Sequence, residues 1–226
     1  MTTNINDDIR DEIKNLFVGD RTLGDSFAPP LLFVAANALW SLGVAATIAI
    51  AAGVIVSFWR IRKGQQITYA LAGIAAVGFA AFLALRTGRA ESYFLPGILS
   101  TLAYTGGTLL SILVKRPLSA WTSWAYRRWP LDWYWRDDVR PAYSHVSWYW
   151  FWYFSIRGGV SGWLFLAEQP EILAVWKSLT SWPTILPLLV ISYRVGMRKR
   201  EELGGPNIDE HLAGADPPYA GGQRHF

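Results

Sequence analysis

The chain has 226 residues, 52% of them hydrophobic and 15% aromatic, with a formal net charge of +4. That balance, with a positive mean hydropathy, is one a water-soluble domain of this size seldom shows. Without a cysteine it has neither disulfides nor thiolate chemistry, and His145, His211 and His225 lack the spacing of a metal site.

The first segment, residues 1–28, carries six acids against three bases. Its start, "NDDIRDEIKNLFVGD", has neither the basic n-region nor the apolar h-region of a secretory signal. Ile9, Ile13, Leu16 and Phe17 fall on one helical face with acids opposite, so the segment reads as a cytoplasmic amphipathic arm. Such an arm lies on the membrane interface or docks a partner.

Pro29 to Trp59 follows as thirty-one uncharged residues, which as one helix would measure roughly 46 Å, too long for a single upright span. Asn37 and then "WSLG", residues 40–43, interrupt it. The reading is a short helix that enters the membrane, breaks near Ser41–Gly43 and continues as a longer helix to Trp59. One tilted span and a helical hairpin both fit, and they place the N-terminus on opposite sides. Irregular backbone at that depth must face other protein or a wet cavity, so Asn37 is a candidate functional residue.

Ile67 to Leu85 is nineteen residues without a charge and Tyr93 to Val114 is twenty-two, each enough to cross a core of about 30 Å. Between them "LRTGRAES" supplies Arg86, Arg89 and Glu91, read as a tight outer turn in which Arg89 and Glu91 pair. Pro96 is expected to kink the next helix near its start, and Gly97 to allow close packing. A helix-terminating turn and a functional site are both consistent with these three charges.

Leu118 to Trp163 holds nine of the thirteen tryptophans. Trp121, Trp124 and Arg128 recur at near-helical spacing, so the Trp/Arg-rich segment 118–145 is expected at the cytoplasmic interface. There Arg127 and Arg128 stack on the rings and contact anionic lipid headgroups. Asp137 and Asp138 stand between Arg136 and Arg140, which points to local ion pairing rather than metal binding. Val146 to Ala167 is a further expected span that contains Arg157, a charge too deep to be an edge residue and beside Gly158, Gly159 and Gly162. A structural arginine and a substrate contact are equally open. Leu179 to Tyr193 is the last span, of full length only if it starts nearer Ile172. From Glu201 the glycine, proline and charge of "EELGGPNIDEHLAGADPPYAGGQRHF" read as disorder, giving a disordered cytoplasmic tail over 197–226 after a transmembrane bundle over 29–196.

Thirteen basic residues flank the spans on one side, at 60–63, 115–140 and 194–200, against Arg86, Arg89 and Lys177 on the other. By the positive-inside rule the larger group marks the cytoplasmic face and the C-terminus lies inside. The fold class is thus all-α, a polytopic integral membrane helical bundle of about five spans plus a short broken or re-entrant first helix.

"LRTGRAESYFLPGI" followed by "LLSILVKRPL", with "PPLLFVAANAL" upstream, resembles an uncharacterised actinobacterial membrane-protein family, domain of unknown function 3159, over roughly residues 20–195. More distantly, the order of "WRIRK", the outer turn ending at Glu91 and "KRPL" is similar to the intracellular septation protein A family. That resemblance implies an inner-membrane protein of about five spans tied to elongation, division and envelope integrity, without established enzymatic activity. The long Trp-rich segment, the acidic arm and the extended tail depart from that pattern.

No catalytic triad, phosphate-cradling glycine loop or nucleotide fingerprint is present, so a non-enzymatic role is expected, with no cofactor, metal or nucleic acid. The expected partners are membrane lipid with anionic headgroups, envelope or division proteins, and a second copy of the chain. The alternative is a small transporter or channel for an ion or solute, lined by the broken first run and Arg157.

Overall fold

The computed structural model describes residues 28–64 and 66–220. Their regular structure is helical, without a strand. Ile9, Ile13, Leu16 and Phe17 lie outside the described residues. Two compact units are present, one of residues up to Ile98 with Val160–Trp182, the other of Leu99–Gly159 with Pro183 onward.

In the first unit, α1 (Ala28–Leu39) stops at Trp40–Ser41 and α2 (Leu42–Arg62) begins at once. Ser41 is extended and its hydroxyl accepts the Val44 N–H at 3.4 Å, so the polar residue that interrupts the apolar run is the cap that restarts the helix. α1 packs against α2 instead of extending its axis. α3 (Ile67–Thr87) packs on α2, where Ser57 Oγ donates to the Ala70 carbonyl at 3.1 Å. Ala45, Ala46, Ala49, Ala80, Ala81 and Ala84 are all buried, and such small side chains let helix backbones approach closely. Phe33 fills the space they leave, stacked on Tyr93 at 4.1 Å between ring centroids.

α3 ends at Gly88, whose φ of 70° is the left-handed conformation glycine adopts without strain. A 3₁₀ turn, Ala90–Phe94, leads into α4 (Leu95–Leu113). Pro96 falls in the first turn of α4, where its missing N–H costs no helical bond, and the 3₁₀ turn ends before it. The end of α7 (Arg140–Leu166) and α8 (Pro170–Leu179) complete this unit, contributing Leu164, Leu173 and Ala174 to its core.

The second unit contains most of α4, α5 (Leu118–Arg127), α6 (Leu131–Trp135), most of α7, α9 (Trp182–Leu203) and α10 (Ile208–Leu212). Its separate core is aromatic: Trp133, Tyr134 and Tyr143 are fully buried with Ala120 and Val139, and Trp124, Trp129 and Trp135 pack around them.

Among the described residues, four helical stretches are long and apolar enough to cross a membrane: Leu42–Arg62, Ile67–Thr87, Ala90–Leu113 and Pro170–Leu203. The span expected over Val146–Ala167 lies in α7, 27 residues long, up to its end at Leu166, but Arg157 and its serines and aromatic residues keep it outside that set. The last expected span falls within Pro170–Leu203, in which Thr180–Ser181 separate α8 from α9.

Residues 201–220 correct the expectation of a disordered tail. α9 runs on to Leu203, and α10 has a reciprocal capping box in which Asn207 Oδ1 accepts the Glu210 N–H and Glu210 Oε2 accepts the Asn207 N–H, both at 2.8 Å. The segment is held by contacts to buried groups elsewhere in its unit.

Candidate functional site

The C-terminal segment closes over the aromatic core. Trp133, on the short helix α6, is fully buried, so its indole N–H needs a partner. It donates to the Pro206 carbonyl at 3.0 Å. Arg200 Nη2 donates to the same oxygen at 3.0 Å, Arg200 Nη1 to the Asp138 carbonyl at 3.3 Å, and the guanidinium lies 4.9 Å from the Trp133 ring centroid. Gly205 makes this closure fit: a Cβ there would stand 2.6 Å from the Asp138 carbonyl oxygen.

Ion pairs rim the core. Arg136 grips Asp138 through two bonds of 2.9 and 2.8 Å, which hold the Asp138 carboxyl below its usual range, and Arg136 Nη2 also donates to the Tyr219 hydroxyl at 3.2 Å. Arg140 pairs with Asp137 at 2.6 Å, so both aspartates are engaged by the flanking arginines. Asp132 meets His211 Nε2 at 2.8 Å, which lowers the Asp132 carboxyl. Burial pushes the Tyr134 phenol up, and its oxygen lies 3.0 Å from Ser123 Oγ. Ser119 ties α5 to α7, donating to the Tyr143 carbonyl at 2.7 Å and accepting from Ser147 Oγ at 3.0 Å.

Trp121 and Trp124 pack edge to face at 5.8 Å, and Trp121 also meets Trp135 at 5.4 Å. The Arg128 guanidinium lies 4.8 Å from the Trp124 ring, Arg127 lies 5.2 Å from Trp129, and Arg116 lies 4.4 Å from Trp135. Arg128 adopts a φ of 58°, ends α5 and donates its N–H to the Trp124 carbonyl at 2.8 Å. Four of the sequence-selected residues thus meet in one module, which also includes Arg116, Trp133, Trp135 and Arg200, residues the spacing argument did not single out.

The outer-turn residues form a separate arrangement in the first unit. Arg89 pairs with Glu91 and, at 3.1 Å, with Glu168 in the turn after α7. Glu91 has only 6% of its side chain exposed, whereas Arg86 is exposed and stands outside this group. Glu168 was findable, since it sits in the other loop expected on that side. Lys177 on α8 seats over the start of α4, its Nζ 2.8 Å from where a Cβ on Gly97 would be. Asn37 is half-buried in α1 of the first unit. Arg157 is half-buried in α7 of the second unit and engaged by neighbouring groups. Gly158 beside it meets α4, with Thr101 Cγ2 3.4 Å from a Cβ built there, while Gly159 and Gly162 have no such neighbour.

A family model described as "Protein of unknown function (DUF3159)" matches residues 17–202. The chain belongs to this family. The match takes in both units, from the first apolar run to the end of α9. No curated protein and no solved structure matches the chain. Membership of DUF3159 and the four apolar stretches agree with a membrane protein whose role the family description leaves open.

Proposed function

We propose that the chain is a multi-pass protein of the bacterial inner membrane with a non-catalytic role, docking partner proteins of the envelope or septation machinery through the folded Trp/Arg module of its second unit. The observation that carries this reading is the closure of residues 201–220 over Trp133. A loop that only anchored rings in lipid would need no buried hydrogen bonds, whereas this module specifies one surface. The excess of lysine and arginine beside the module supports a cytoplasmic position for it and for the C-terminus. Likeness to the septation protein A family in the order of basic loop, acidic outer turn and "KRPL", and to actinobacterial membrane proteins, supports the envelope assignment. Residues 1–28 act as an arm in this reading, and 29–196 as the bundle that carries the module.

Affinity purification of the tagged protein from its native membrane in mild detergent tests it. The comparison is a variant carrying Tyr126→Ser and Leu212→Ser, two module side chains that are 79% and 66% exposed. Stoichiometric envelope or division proteins with the wild type, lost with the variant, are expected. Recovery of the wild type alone or as a homo-oligomer contradicts docking, and solute flux in liposomes with Arg157→Leu then becomes the informative assay.

A further inference from the structure

We infer that Arg116 and Arg128, at the two ends of a row of packed tryptophans, each hold the phosphate of an anionic lipid headgroup. The row runs Arg116, Trp135, Trp121, Trp124, Arg128, with successive separations of 4.4, 5.4, 5.8 and 4.8 Å. All five residues belong to the second unit.

Both terminal arginines are exposed, and among the described residues neither makes an ion pair. With each guanidinium beside a ring and no carboxylate engaging it, its N–H groups can donate to phosphate oxygens. Arg127 differs, because its guanidinium sits against Trp129 and is engaged within the module.

The charge pattern fits one class of occupant. From Ser92 to Leu131 the chain has no aspartate or glutamate but carries Lys115, Arg116, Arg127 and Arg128, and the aspartates flanking Trp135 are paired with Arg136, Arg140 and His211 instead. Its depth fits too. The stretch Ala90–Leu113 is long and apolar enough to span, and Arg116 follows three residues after its end, where headgroup phosphates lie. The tryptophans supply rings that prefer the same layer. The inference rests on the proposed membrane placement and names a ligand for the surface described there.

Native mass spectrometry of the full chain in detergent tests the site, with phosphatidylglycerol or phosphatidylcholine added as the probe. The wild type is expected to retain phosphatidylglycerol about tenfold more than phosphatidylcholine, and R116Q/R128Q to lose most of that preference. The same substitution at Arg62, whose guanidinium lies 4.7 Å from the Phe58 ring centroid in the first unit, is expected to leave it intact. Each single variant, R116Q and R128Q, is expected to weaken the preference on its own, which keeps the test valid if the pair does not fold. Equal retention of both lipids, unchanged preference in the variants, or displacement of the lipid by millimolar inorganic phosphate overturns the inference. Carbonate extraction of the source membranes separates the two failures. Wild-type protein released into the supernatant defeats the membrane placement and the lipid site together, while protein kept in the pellet without lipid preference defeats the lipid site alone.

Discussion

The indole N–H of Trp133 donates to the carbonyl of Pro206 at 3.0 Å, joining positions 73 residues apart. This bond fastens the C-terminal segment to the aromatic core. Replacing Trp133 by phenylalanine keeps a ring but removes the donor and part of the volume. The expected cost is about 1–3 kcal/mol, against about 3–5 for alanine. Limited proteolysis reads the result, with cleavage between 204 and 214 faster in both variants and fastest in alanine. Cleavage at the wild-type rate in Trp133→Ala would show that the contact does not hold the segment.

Gly205 allows the approach that this bond requires. A Cβ there would stand 2.6 Å from the backbone oxygen of Asp138 and 3.1 Å from Arg200 Nη1, and the first of these cannot move aside like a flexible side chain. Gly205→Ala is expected to destabilise the closed segment by about 1–3 kcal/mol. Gly159→Ala, with no neighbour in reach of the new methyl group, is expected to leave the same digestion pattern unchanged.

The acid side of the pH profile follows from Asp138 and Asp132, whose carboxyls are held below their usual range by Arg136 and His211. A depressed carboxylate stabilises the folded state above its unfolded value, about 3.9, and that contribution disappears as pH falls through the folded value. The near-ultraviolet circular dichroism of the aromatic core is therefore expected to hold from about pH 8 to about pH 5 and to decline below about pH 4. A decline that is complete by about pH 5 would assign the change to other groups.

The outer turn provides a double-mutant test. Arg89→Leu leaves the Glu91 carboxylate buried without its partner, which is expected to lower stability in detergent. Adding Glu91→Leu removes the stranded charge, so the double variant is expected to be more stable in detergent than Arg89→Leu alone. If the second substitution destabilises further, Glu91 has a role beyond pairing with Arg89.

The helical character and the break in the first run were legible in the sequence, because Ser41 is both a gap in an apolar pattern and a helix cap. The Arg89–Glu91 pair was legible for a similar reason, since its partners are two residues apart. Order in residues 201–220 was not. Their composition has the low hydrophobicity of a disordered segment, yet they are held by a few bonds to Trp133, Arg200 and Asp132 rather than by an apolar face of their own. Spacing arguments reach only neighbours on one helix, and the Asp132–His211 contact spans 79 residues. The same limit hid Trp135 and Arg116, which join the row of rings from outside α5.

The central claim, a membrane protein with its Trp/Arg module and C-terminal segment on the cytoplasmic side, is tested most directly by labelling introduced cysteines, since the chain has none of its own. Thr122→Cys in α5, Ala213→Cys after α10 and Thr87→Cys at the end of α3 replace exposed residues. With a membrane-impermeant maleimide, Thr87→Cys is expected to react in intact spheroplasts, and Thr122→Cys and Ala213→Cys only after lysis. Reaction of Thr122→Cys or Ala213→Cys in intact spheroplasts would contradict the account.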